Sequence, residues 1–415
     1  MAKKEPFYGW WIVFAGFMLM FSCVGIVVNC VSIFFKPVIE SLGFSRAEFS
    51  LYFTFINLSM MVVAPFMGKI LSKYNMRVVV TTCLIVGAAA YMAYSRCTAL
   101  IHFYILSIIV GAALAGLFIP VSVMCTNWFV EKRGLAMGIA FTGSGIGGML
   151  FNPLTNWLIL NYGWQNAYVV LGIILLVTIL PISLFVIRAT PAEKGQIAYG
   201  AVTDSTGKNG AQALRGMALK DATKTAGFWL LGIGVLLIGL MNMGIQMHIP
   251  AYLTDKGYSS TFAANIVAIF MGVLVIGKLV LGSIFDKFGS RTGMAYACTV
   301  FILAAFVLMG AKTAAWVGLF AVLFGFANAM ATVAAPFITA EIFGARDYGV
   351  IYGVINVFFT LGMSVGMPLS GAIFDARGSY IPAFTLYAAA AVVVAVVLII
   401  AIGRGKAALK SHINA

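Results

Sequence analysis

Apolar runs long enough to cross roughly 30 Å of hydrocarbon recur along the chain, separated for the most part by short polar turns. They predict twelve membrane-spanning helices, at residues 8–30, 47–68, 78–95, 101–125, 134–159, 166–187, 227–253, 262–285, 292–311, 314–340, 348–374 and 379–403. The one long polar interval is 189–226, rich in Gly, Thr, Ala and charge. It separates an N-terminal six-span half, 1–188, from a C-terminal six-span half, 227–415, with 189–226 as a cytoplasmic linker. Within it, 213–225 has the pattern of a short amphipathic helix on the inner leaflet, beside the plainer reading of a solvated connection.

Composition agrees with this pattern. With 62% hydrophobic and 9% charged residues and a mean hydropathy of +1.04, the 415-residue chain carries more apolar surface than a water-soluble core can hide. The expected class is an all-α, polytopic membrane protein. Of its 26 lysines and arginines, Lys36, Arg46, Arg96, Lys256, Lys312 and Arg377 fall on one side of the predicted membrane, and all others except Lys278 on the opposite side. Positive charge accumulates in the cytoplasm, so both termini are expected inside, with a bacterial inner membrane as the location. The net charge of +14 is then topology and attraction to anionic lipid, not a nucleic-acid surface. The six cysteines lack metal-ligand spacing and read as apolar packing residues. No trusted cleavage site follows the N-terminal stretch, which reads as a retained signal anchor.

Lys278 is the candidate that the pattern singles out. It lies within 262–285 with no other charged residue in that stretch. If this helix runs inward to Asp286, eight residues at about 1.5 Å each place Lys278 roughly 12 Å from the inner boundary. Helical side chains tilt toward the N-terminus, here the outer end, so the ammonium leans to the membrane centre instead of snorkelling outward. Such a cation is costly against lipid and useful in a watery cavity, where it would hold an anion. All 12 Asp and Glu residues fall in loops or at span ends, which disfavours a cavity built for cationic cargo. Other in-span polar groups are candidate cavity lining: Asn29, Asn242, Gln246, His248, Asn328, Thr332, Asn356 and Thr360. His248, beside Pro250 near an outer end, reads either as a site ligand or as an interfacial histidine bonded to backbone. The asparagines read either as substrate contacts or as bonds between helices. The glycine run 143–148 superficially matches a nucleotide fingerprint, but mid-span it reads as close helix packing.

The halves also repeat. After the second span comes GKILSKYNMR, Gly68 to Arg77, and after the eighth comes GSIFDKFGSR, Gly282 to Arg291. Duplicated halves around a midplane site give this signature. The loop resembles that of the major facilitator superfamily, intact in the second half through Gly282, Asp286, Lys287, Gly289 and Arg291. In the first half Ser72 replaces the acid and Asn75 the glycine. The resemblance implies that Asp286 latches helices by facing a helix N-terminus, and that the first-half latch is lost.

Within that superfamily the chain resembles the monocarboxylate porters and the oxalate/formate antiporters. The segment Trp128 to Ala140, with its basic pair Lys132 and Arg133, is similar to the porters' signature between spans 4 and 5. Glu5 to Trp11 is a looser version of their first-span motif. Lys278 falls where these families carry a carboxylate-binding arginine, and Phe118 where an aromatic packs over substrate. The antiporter's second cation is replaced by Ile355, which implies a monoanion. The animal porters' lysine and acid are replaced by Asn29 and Leu274, so their proton relay is absent.

The expected function is secondary transport of a small organic monocarboxylate by a monomer, with alternating access and without a cofactor or metal. A proton or a counter-anion drives it. Proton coupling is expected at Lys278 itself, with His248 next in line. The competing readings are an exporter of drugs or neutral metabolites and an anion-sensing, transporter-like receptor. No nucleophile–base pair or phosphate loop supports an enzyme.

Overall fold

The computed structural model describes the backbone of residues 7–200, 216–344 and 346–414; the remaining residues, and the side chains at 68, 72, 133, 134 and 412–414, lie outside the described residues. The described chain is almost wholly helical, with only isolated bridges and no strand. Among the described residues ten runs are long and apolar enough to span a membrane: Gly9–Leu42, Arg46–Leu71, Met76–Arg96, Leu100–Trp128, Leu135–Val186, Ala226–Asp255, Ser260–Met309, Ala314–Phe343, Tyr348–Arg377 and Ile381–Ser411. Two of these are double-length. Leu135–Val186 turns at Gly163 (φ 80°, ψ 160°) and Ser260–Met309 at Gly289 (φ 80°, ψ 163°), backbone angles that a side chain would strain. Each therefore holds two crossings, and the ten runs resolve into twelve spans, numbered 1 to 12 below.

The surface is apolar where lipid would lie, as at Val177, Phe185 and Leu279, all well exposed. Burial between helices is instead carried by small residues, because lipid and leucine are equally apolar and close backbone approach is what holds helices together in a bilayer. In the first half Gly143 and Gly147 of span 5 lie against the carbonyls of Phe17 and Phe21 in span 1. In the second half Gly362 and Gly366 of span 11 lie against the carbonyls of Leu236 and Leu240 in span 7. One register shift carries each member of the first set onto the second, and the same shift carries Asn29 onto His248. The glycine run 143–148 is thus a packing face.

Span 1 departs from the predicted end at residue 30. It opens into a nine-residue π-helix, Met20–Val28, turns at Asn29 and Cys30, and resumes as Val31–Leu42. Span 7 breaks at the matching point, at Met247 and His248, before Ile249–Asp255. π-turns widen a helix and are drawn to functional positions.

Clustering of the backbone gives two compact units. One comprises Met1–Gly43 and Phe55–Lys208; the other comprises Phe44–Thr54 and Asn209–Ala415. The Arg46 end of span 2 therefore belongs with the second unit. The two ends of the polar interval are also divided. Tyr199 donates its N–H to the Trp128 carbonyl (2.8 Å) in the first unit, and Met217 donates to Phe343 (2.8 Å) in the second. Of the amphipathic stretch expected at 213–225, only Leu219–Ala222 forms a helix, while 213–215 lie outside the described residues.

Packing at Gly366 should be unforgiving. Gly366→Val is expected to cost about 1–3 kcal/mol, read as a lower melting temperature of the solubilised protein. Gly318→Val, whose Cβ meets nothing within 4 Å, is expected to melt like the wild type.

Candidate functional site

Span 8 sorts its side chains by face. Asn265, Ile269, Ile276, Leu279 and Ser283 form its exposed stripe. Lys278 is half-buried and sits roughly opposite that stripe, at about 100° per residue. Its neighbour Gly277 is buried against span 10, where an added Cβ would lie 2.9 Å from the Gly325 carbonyl oxygen and 3.5 Å from Ala329. Among the described residues no carboxylate lies within ion-pair distance of Lys278 and no acceptor bonds its ammonium. A cation placed this way has an unmet electrostatic demand, which a bound anion would satisfy.

The same contact brings Lys278 close in register to Asn328, which precedes the break in span 10 at Ala329. Asn328 is buried and bonded to span 7 on both sides: it accepts from Asn242 Nδ2 and donates to Gln246 Oε1 (2.9 Å). Asn242 and Gln246, one turn apart, therefore clamp span 10 at its bend. Thr332 is exposed and donates to the Ala329 carbonyl (3.3 Å). Asn356 is exposed on span 11, with its carbonyl accepting from Thr360 (3.0 Å).

The other two candidates lie in the first unit. Asn29 is buried and donates to the Ser144 carbonyl (2.8 Å), tying the turn of span 1 to span 5. Phe118 is half-buried and packs edge-on against Phe141, with ring centroids 5.4 Å apart.

His248 is fully buried, and both ring nitrogens are engaged: Nδ1 with the Tyr380 hydroxyl (2.9 Å) and Nε2 with the Met367 carbonyl (2.9 Å). Of the two readings offered by the sequence, this geometry is the backbone-bonded one. Tyr380 in turn accepts from Arg46 Nη1, and Arg46 pairs with Asp255 (2.7 Å) and lies over the Phe374 ring (3.7 Å). Asp375 accepts from the backbone N–H groups of Arg46 (3.3 Å) and Ala47 (2.8 Å), at the positive end of span 2. Burial pushes the Tyr380 phenol well above its ordinary range, with Arg46 opposing, so the hydroxyl keeps its proton.

The repeated loops reach their bends differently. Asn75 caps span 3, its side chain accepting from the Arg77 N–H (2.9 Å), where Gly289 uses a positive φ. Arg77 donates to the Ile187 carbonyl (2.9 Å) at the end of span 6 and faces Glu193 (3.5 Å). Arg291 lies against Gly403 of span 12, within 2.8 Å of an added Cβ, so each signature arginine grips the sixth helix of its own half. Gly282 has open space around it, and Asp286 and Lys287 are exposed, with no ion pair to either among the described residues. Lys132 opens span 5 at φ 55°, the one non-glycine residue with positive φ among those described, its ammonium over Tyr199 (5.3 Å). The side chain of Arg133 lies outside the described residues.

The family model of the Major Facilitator Superfamily matches residues 17–331 and 266–412. The chain belongs to that superfamily. It is therefore a multi-pass membrane transporter, not an enzyme. Monocarboxylate transporter 12 of Homo sapiens is 25% identical over 409 residues, covering 93% of this chain and 79% of the relative. Monocarboxylate transporter 13 of Rattus norvegicus is 27% identical over 398 residues, covering 91% and 85%. Among solved structures, a bacterial homolog of the human lysosomal transporter Spinster, inward-facing and unoccupied, aligns with a TM-score of 0.70 at 18% identity, over 99% of this chain and 98% of that one. The nucleoside transporter NupG aligns at 0.70 and 13% identity, over 95% and 98%. These structural likenesses establish the superfamily fold.

Sequence reasoning missed the Arg46 cluster. Its only sequence signal is charges of opposite sign at one end each of spans 2, 7 and 11, which do not reveal that they converge. The amide clamp is directly testable: a double-mutant cycle of Asn242→Ala and Asn328→Ala, read by unfolding in detergent, is expected to give a coupling of about 1 kcal/mol.

Proposed function

We propose that this superfamily member carries small organic monocarboxylates of the lactate, pyruvate or formate type by alternating access, with Lys278 as the anion-binding group. The observation that carries the reading is a half-buried lysine in mid-span, turned away from the exposed apolar stripe, with no carboxylate partner among the described residues. The likeness to monocarboxylate transporters 12 and 13 supports it. Asn328, Thr332 and Asn356 are the proposed polar lining in the unit that holds Lys278, and Asn29 and Phe118 are proposed as the polar and aromatic groups of the first unit. Asn29 and Asn328 are bonded within the protein, so their contribution is to hold helix positions around the substrate.

A single cation favours a monoanion over a dianion. A proton or a counter-anion supplies the driving force. The distribution of lysine and arginine supports cytoplasmic termini and an inner-membrane location, and the protein acts as a monomer. Loops 68–77 and 282–291, with Lys132 and Arg133, are the proposed gating elements, and Asp286 is the intact acid among them.

Lys278→Met is expected to weaken lactate binding by roughly 10- to 100-fold, the value of a charge-assisted bond. Lys278→Arg, which keeps the charge and changes its geometry, is expected to retain part of it. Equal affinity in wild type and Lys278→Met, measured by calorimetry on purified protein, would remove Lys278 from the site.

A further inference from the structure

We propose that His248 is a proton-binding site that competes with Arg46, so that a proton on the imidazole releases the outer end of span 2 from the second unit. The directions of the hydrogen bonds carry this. A carbonyl oxygen only accepts, so the bond to Met367 fixes the hydrogen on Nε2. Nδ1 of the neutral ring is then a lone pair, and the Tyr380 hydroxyl donates to it. That leaves the Tyr380 oxygen to accept from Arg46. Donation therefore runs one way, from Arg46 through Tyr380 and His248 to Met367.

A second proton, taken up from water at Nδ1, reverses one link of that chain. Nδ1 becomes a donor facing a hydroxyl whose hydrogen already points at it, and turning the hydroxyl sends its hydrogen toward the Arg46 donors. It also adds a cation to a fully buried ring one tyrosine away from a guanidinium. The neighbouring charges do not offset this. Asp255 is committed to Arg46, and Asp375 to the backbone N–H groups of Arg46 and Ala47. Tyr252 donates to the Leu308 carbonyl (3.1 Å), and Lys256 lies over its ring (5.1 Å) as a further positive charge. The docked state thus has no place for the second proton, and the undocked state does.

Linkage sets the sign: the undocked state binds one more proton, so docking is favoured at higher pH and lost as pH falls through the value of the freed imidazole. The opening constant of 44–54 therefore rises between about pH 8 and about pH 5. The consequence for transport rests on the carboxylate reading above: an acidic exterior would open the outer end to the anion, and the proton would leave His248 before that end docks again.

The test is amide hydrogen exchange of residues 44–54 in the full-length protein in nanodiscs, corrected for intrinsic chemical rates, at both pH values. Wild type is expected to show a response, exchanging faster at the lower pH. His248→Gln, which keeps a donor for Met367 and an acceptor for Tyr380 but cannot ionise, is expected to show none. Arg46→Gln, which leaves the histidine intact, is expected to be open at both. A flat wild type, an undiminished response in His248→Gln, or an Arg46→Gln protein closed at pH 8 overturns the proposal. In proteoliposomes, the acceleration of lactate counterflow exchange at an external pH of about 5 over about 8 is expected to be lost in His248→Gln. If that acceleration is lost in Lys278→Arg and kept in His248→Gln, the proton belongs to Lys278 and the proposal is overturned. An intact exchange response without any carboxylate transport refutes the carboxylate reading and supports the proton site.

Discussion

Backbone-to-backbone contact through glycine is the constraint on which the helix arrangement depends. Where Gly143 and Gly147 meet the carbonyls of Phe17 and Phe21, and Gly362 and Gly366 those of Leu236 and Leu240, no side chain fits between the helices. Lipid gives no hydrophobic reason for helices to associate, so dispersion at this short range has to supply it. The contact also sets the register of the polar residues beyond it. Asn29 and His248, related by the shift that relates the glycines, both sit at a break in the first helix of their half and both bond a carbonyl of the fifth. These two side chains tie each break to the neighbouring helix.

Desolvation then separates structural polar groups from functional ones. A buried amide or imidazole without a partner costs free energy, and the second unit answers by pairing its polar groups with each other: Asn328 with Asn242 and Gln246, His248 with Tyr380 and Met367, Ser370 with the Gly244 carbonyl (2.8 Å) and the Tyr387 hydroxyl (2.7 Å). Against that background Lys278 stands out by contrast. Its helix is locked to span 10 through Gly277, and its ammonium has no counter-charge among the described residues. The Arg46 cluster is the opposite case, a cation with a carboxylate, a phenol and an aromatic face around it.

The twelve spans were legible because a membrane forces long apolar runs, and the twofold repeat because its loops keep polar residues in matching order. Lys278 was legible because a mid-span charge is rare enough to name itself. The turn at Asn29 and the continuation to Leu42 were not, since a π-helix leaves no apolar period to read. His248 illustrates the limit further. Its sequence neighbourhood admits both a ligand and a tether, and its bonds to Tyr380 and Met367, far along the chain, cannot be read from it. Long-range convergence of Arg46, Asp255 and Asp375 is likewise invisible to any local pattern.

The central claim is that a substrate carboxylate sits against the Lys278 ammonium, and dipolar recoupling measures that separation directly. Protein labelled with 15N at lysine side chains, reconstituted with 13C-carboxyl lactate, is expected to show a carbon–nitrogen distance within about 4 Å that disappears in Lys278→Met. Bound lactate with no such coupling, or a coupling that survives the substitution, would contradict the account.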